Sequence, residues 1–230
     1  MSEGEPTPPP LPTQRPQDPW PRFVPVLWLM GLLLLVNLAF TVYVQATGDE
    51  NPNGDCVATS AMAAIVLAFA ARERHSILPA FQLNNLTWRD WALTVATFVA
   101  IAASTEAWFF LATYVFDTIE MLQPFRDHGW PAWSAVVLIV VCPAVFEEIA
   151  FRGFLLERLT PLLGRRDALL LQGALFAILH MSPVVFPSHF VIGLALGWLR
   201  LRTGSLLPCM LVHGAWNLTV LLQEGLWSMA

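Results

Sequence analysis

The chain has no lysine. All twelve of its basic residues are arginine, and only 13% of its 230 residues carry charge, against about 25% in an ordinary soluble domain. Without a basic stripe, nucleic-acid binding is excluded as a function class. Three cysteines (Cys56, Cys142 and Cys209) are too few and too uneven for a disulfide framework, and two of them sit inside apolar runs. The start of the chain is acidic, and the first apolar run is too long and lacks a small-residue cleavage site, so no secretory signal is read there. What fills the chain instead is apolar: 56% hydrophobic residues and a mean hydropathy of +0.58, arranged in blocks that match bilayer thickness. An all-α, polytopic transmembrane bundle with a polar intramembrane cavity is expected.

Residues 1–22 hold eight prolines and no apolar periodicity, and read as a disordered, polyproline-like tail. Seven apolar segments follow near 23–45, 56–73, 91–116, 132–151, 167–182, 187–201 and 205–223. The fifth and sixth are short for full spans, which is tolerable only where neighbouring helices surround them. With the N-terminus placed in the cytoplasm, eleven arginines fall on the cytoplasmic side and Arg126 alone falls outside. That asymmetry satisfies the positive-inside rule and supports both the segment count and the orientation. Trp20, Trp28, Trp88, Trp91, Trp130 and Trp133 lie near segment ends, where aromatic belts form. The organisation expected is a tail over 1–22, N-terminal membrane helices over 23–130, a site-bearing core over 131–223 and a short tail over 224–230.

Charge inside such segments is costly, about 2.5–3.5 kcal/mol at a helix centre, so each instance needs a reason. The fourth segment ends VVCPAVFEEIAFRGF. Glu148 and Arg152 are four residues apart on one helical face and can pair. Glu147 points about 100° away and has no local cation. One carboxylate is thus held by arginine while the other is free to exchange protons. Pro143 removes the backbone bond to residue 139 and should kink the helix one turn before Glu147, opening room for water beside the glutamates. Further along, Phe176 and His180 share a face in FAILH, and His213 and Asn217 share another in LVHGAWN. A polar set of this size on three apolar helices must face inward.

Those residue types supply what peptide hydrolysis requires. A glutamate and a histidine can hold and deprotonate a water, while a second histidine and an amide can donate to an oxyanion. Glutamate and two histidines are equally the ligand types of catalytic zinc, although HExxH is absent. Spacing does not choose between the two. Glu106 is read as a structural or interfacial acid, and His189 as interfacial with a route toward the site. Cys209, four residues before His213, is read as a small buried hydrophobe, and Gly193 and Gly197 as marks of close helix packing.

In these motifs the sequence resembles the CAAX-protease and bacteriocin-processing family, also called Abi or type II CAAX prenyl endopeptidase-like proteins. The pattern EExxxR, FxxxH, HxxxN appears in order as Glu147-Glu148 to Arg152, Phe176 to His180 and His213 to Asn217, and the resemblance covers about 141–220. It implies an intramembrane endopeptidase acting on a membrane-associated or lipid-linked protein or peptide. Glu147 and His180 would activate the water, His213 and Asn217 would stabilise the oxyanion, and Glu148, Arg152 and Phe176 would support them. If the enzyme is metal-dependent, Glu147, His180 and His213 are the candidate zinc ligands; if glutamate-dependent, no cofactor is needed. The partners expected are membrane lipid and a peptide substrate, with no nucleic acid. The compact, lysine-free chain suggests a bacterial inner membrane protein. The competing reading is a non-catalytic binding or immunity protein that uses the same pocket.

Overall fold

The computed structural model describes residues 18–83, 86–116 and 120–229. The tail expected over 1–22 therefore lies largely outside the described residues, and its last part is already ordered as helix. The described chain is all helical. Its long elements are α1 (Trp20–Thr47), α2 (Pro52–Arg72), α3 (Trp88–Ala112), the long run α4 (Ala132–Leu179), α5 (Phe186–Thr203) and α6 (Leu207–Gln223).

Helix boundaries follow local chemistry. α1 ends where Gly48 takes a left-handed φ of 65° and its N–H reaches back to Val44. Asn51 accepts from the Asn53 N–H and starts α2 several residues before the apolar block begins. Thr87 and Asp90 form a reciprocal capping box at the start of α3.

Seven membrane helices are expected from the apolar blocks. Among the described residues, four helices are long and apolar enough to cross a membrane: α1, α2, α3 and α4. The difference has two physical sources. The fourth and fifth blocks lie on two helical stretches that meet at Gly164, whose φ of 79° and ψ of 165° lie outside the helical region, and α4 names the two together. α5 and α6 are only 18 and 17 residues long. They survive because they bury Ile192, Leu196 and Leu199, and Cys209, Val212 and Trp216, against other helices.

Apolar side chains also cover much of the outer surface, among them Trp28, Leu35, Val57, Val95, Phe110 and Trp133. A water-soluble fold does not leave such a surface bare. Together with the four apolar helices this marks an integral membrane protein. The protein core lies between α1, α4, α5 and α6 and is centred on Phe151, Phe154, Leu155, Leu156, Phe176, Leu196 and Leu199.

Three contacts place the later site. Between Val136 and Leu155, α4 adopts wide π-type turns, in which the Cys142 N–H reaches Val137 O and the Leu156 N–H reaches Phe151 O. Such turns are frequent at functional sites. Pro143 sits between two of them while Cys142 keeps helical angles (φ −61°, ψ −51°), so in place of the expected kink the missing N–H is absorbed by wider turns and the helix continues. At the far end of α4, Asn37 Nδ2 of α1 donates to Leu179 O at 2.8 Å, and Trp108 Nε1 of α3 donates to Val184 O at 2.8 Å. The turn joining α4 to α5 is thereby anchored by two helices remote in sequence.

Candidate active site

Glu148 and Arg152 meet as the helical spacing predicts. Arg152 Nη1 donates to Glu148 Oε1 at 2.8 Å, and both side chains are fully buried. The same carboxylate oxygen receives the His213 Nδ1–H at 2.8 Å from α6. Arg152 Nη2 donates to Gly193 O of α5 at 3.2 Å. One buried carboxylate therefore ties α4 to α6, and its arginine ties α4 to α5. A charge in this environment persists only when paired and hydrogen-bonded in this way.

Glu147 has a different environment. Its Oε2 lies 4.0 Å from His213 Nε2, too far for a hydrogen bond, and is buried with no hydrogen-bond partner among the described residues. The side chain lines a cavity of about 50 Å³ with Leu33 of α1, Met62 and Val66 of α2, and Pro143 and Phe146 of α4. Glu147 is the one charged residue in that lining, so the cavity is apolar with a single carboxylate where a polar one is expected. The division between adjacent glutamates is a division of partners: Glu148 has two and Glu147 none.

His180 follows the last turn of α4. Its Nδ1 donates to Phe176 O at 2.9 Å, because a carbonyl can only accept; in the neutral ring Nε2 then carries the lone pair. The Phe176 ring stands edge-on to His180 with centroids 5.1 Å apart, and also contacts the rings of Phe151 and His213. The Arg152 guanidinium lies 4.5 Å from its centroid, within cation–π range. Phe176 is fully buried and acts as the hub around which the charged and imidazole groups are arranged.

Asn217 lies one turn beyond His213. Its Nδ2 donates to Ile139 O at 2.8 Å. In an α-helical ladder that oxygen would accept from residue 143, which as proline has no N–H. One amide hydrogen is occupied in this contact and the second is available.

Other residues fall less centrally, or more so, than the sequence indicates. His189 of α5, read as interfacial, packs on His180 with ring centroids 3.9 Å apart and stacks on Phe176 at 6.0 Å. Its Nδ1 donates to Val185 O at 3.0 Å. Glu106 stays away from the cluster and accepts from Gln223 Nε2 at 2.7 Å. Cys209 is fully buried, with its Sγ 3.4 Å from Leu196 O. Gln172 was not singled out from sequence, yet its Nε2 donates to Gly193 O at 2.6 Å beside the Arg152 contact. Its only sequence signal is a lone amide inside the apolar run ALLLQGAL.

Among the described residues, no three His, Cys, Asp or Glu side chains converge closely enough to hold a metal ion. Glu147, His180 and His213 are therefore not arranged as a ligand set here.

Residues 129–219 match the family model described as type II CAAX prenyl endopeptidase Rce1-like. That stretch contains all three motifs and excludes α1, α2 and α3. No curated protein and no solved structure shows a significant match to the chain. The match falls on the same residues as the motif resemblance and on the helices that build the buried cluster.

Proposed function

We propose that this protein is an intramembrane endopeptidase that hydrolyses a peptide bond in a membrane-associated or lipid-linked substrate, with Glu147 as general base. One observation carries the reading: the Glu147 carboxylate lines a cavity and has no ion pair or hydrogen bond through its buried Oε2, while Glu148, whose Oε2 is also without a partner among the described residues, is held through Oε1 by Arg152 and His213. A base must have a free lone pair within reach of the water it deprotonates.

His180 shares that task through Nε2, which its Nδ1 contact with Phe176 O leaves as an acceptor. As the water attacks, its proton passes to the Glu147–His180 pair and charge develops on the carbonyl oxygen. His213 donates to that oxyanion from Nε2 when both ring nitrogens carry hydrogen. Asn217 donates from its second amide hydrogen. Each such donor is worth about 2.7–4 kcal/mol in transition-state stabilisation. Collapse of the intermediate breaks the C–N bond, and the proton held by the base goes to the leaving amine. Glu148 orients His213 through its Nδ1–H, and Arg152 holds Glu148. This scheme uses protein groups and water alone.

The test is cleavage of a mixed membrane-peptide library by purified protein in detergent, before and after exhaustive chelation. Glu147→Ala and His180→Ala are expected to lose at least 100-fold in rate, in the range of general acid–base contributions, with Glu106→Ala much milder. Cleavage by wild type should survive chelation. Full activity in Glu147→Ala would overturn the assignment, and loss on chelation with rescue by zinc would replace the base by a metal-bound water. Binding of a peptide without cleavage, retained in both variants, would favour the binding-protein reading.

A further inference from the structure

A second cavity, of about 190 Å³, is lined by Arg152, Leu156, Glu157, Thr160, Pro161 and Arg165 of α4 and by Arg200, Leu201 and Gly204 at the end of α5. Its composition is opposite to that of the Glu147 cavity, since three guanidinium groups face one carboxylate. Arg152 is already neutralised by Glu148. Arg165 is exposed at the break after Gly164 and makes no ion pair among the described residues.

Arg200 is the informative residue. Its side chain is only 13% exposed, and its sole charged neighbour is Glu157, with Nη2 to Oε2 at 3.8 Å and that carboxylate 55% exposed. That separation exceeds hydrogen-bond length. Its Nε is buried without a partner, as is Nε of the fully buried Arg152 in the same wall. Arginine carries five N–H donors and no acceptor, and buried donors are normally satisfied. Two arginines in one cavity wall with buried, unsatisfied Nε groups among the described residues, and a third arginine at the mouth, call for a ligand rich in acceptor oxygens.

We infer that this cavity is an anion site that takes a phosphate group, held between Arg165 and Arg200 beside Arg152. Phosphate fits because its oxygens accept several charge-assisted bonds in the planar geometry that guanidinium offers. Glu157 opposes an anion, but it is half in solvent and held only loosely by Arg200, so it yields its place. The cavity opens at the end of the bundle that carries the Gly164 break and the last turn of α5, where Arg165 and Arg200 face each other across it. Basic pockets between membrane helices at such a position bind phospholipid headgroups. The shared chemistry admits two sources, a headgroup of the surrounding lipid or a free phosphate. The inference is independent of the peptidase reading.

Thermal unfolding of the full chain in detergent tests it. Wild type, Arg200→Gln, Arg165→Gln and the control Arg74→Gln, whose arginine lies outside the cavity, would each be titrated. The titrants are inorganic phosphate, with chloride at equal ionic strength as reference, and mixed micelles of phosphatidylglycerol, with phosphatidylcholine as reference. A saturable rise in midpoint is expected for wild type and Arg74→Gln, with apparent affinity at least tenfold weaker in Arg200→Gln and Arg165→Gln. A rise with phosphatidylglycerol alone identifies the headgroup as the source, and a rise with both identifies free phosphate as sufficient. Arg165 is exposed, so its variant folds even if Arg200→Gln does not. The inference is overturned if neither anion shifts the midpoint beyond its reference, or if Arg165→Gln responds as wild type does.

Discussion

Glu147 and Glu148 are adjacent in sequence and opposite in circumstance. Glu148 is fully buried and accepts from both Arg152 and His213, so removing it strands a buried guanidinium. Breaking one side of a buried ion pair costs about 3–5 kcal/mol. Glu148→Ala should therefore lower stability by about that much in denaturant or thermal unfolding, and lose activity as a consequence. Glu147 makes no hydrogen bond through Oε2, so Glu147→Ala should leave the unfolding midpoint close to wild type while abolishing cleavage. On the proposed mechanism the pair separates a residue kept for structure from one kept for chemistry, and equal destabilisation by both would remove that distinction. This much was legible from spacing, since an i, i+4 glutamate and arginine predict the pairing. What spacing did not show is that Glu148 also binds His213, because that contact crosses 65 positions of sequence.

Among the elements, α5 shows why its glycines are glycine. A Cβ added at Gly193 would lie 2.8 Å from Gly173 Cα and 3.1 Å from its carbonyl oxygen, both backbone atoms of α4. At Gly197 the nearest atoms, at 2.6 Å, are the ends of the Gln172 and Leu169 side chains, which can move. Gly193→Ala should thus force α4 and α5 apart, pull Gly193 O from Arg152 and Gln172, and cost more in thermal unfolding than Gly197→Ala. Overpacking of this kind costs about 1–3 kcal/mol. The small-residue spacing was visible in the sequence as a packing motif, and it packs α5 against α4 of the same chain. The π-type turns of α4 were not visible: proline marks a disturbed ladder but does not say whether the helix bends, stops or widens. The Asn217 contact with Ile139 O decides part of that, and it comes from another helix.

At the scale of the whole molecule, the helices outside the stretch 129–219 that matches the family model also support the candidate site. Asn37 and Trp108 anchor the turn that carries His180, and α1 and α2 wall the Glu147 cavity. The arginine count assigns the N-terminus and the Gly164 break to the cytoplasmic side and the α1–α2 turn to the other. Single cysteines at Glu50 and Arg166, in a background lacking Cys56, Cys142 and Cys209, should then be labelled by an impermeant reagent from opposite faces of sealed vesicles. Labelling of both from one face would overturn the orientation.

Apolar block length, arginine asymmetry and the order of the three motifs are local properties, and they sufficed to indicate a helical membrane protein and its family resemblance. Periodicity also placed Glu148 against Arg152. Which blocks stand as independent spans was decided by tertiary packing, because a short helix persists when neighbours satisfy its surface. His189 reached His180, and Arg200 was left without an acceptor, for the same reason. Both outcomes depend on how α5 docks on α4, and no spacing along one helix encodes where another helix will lie.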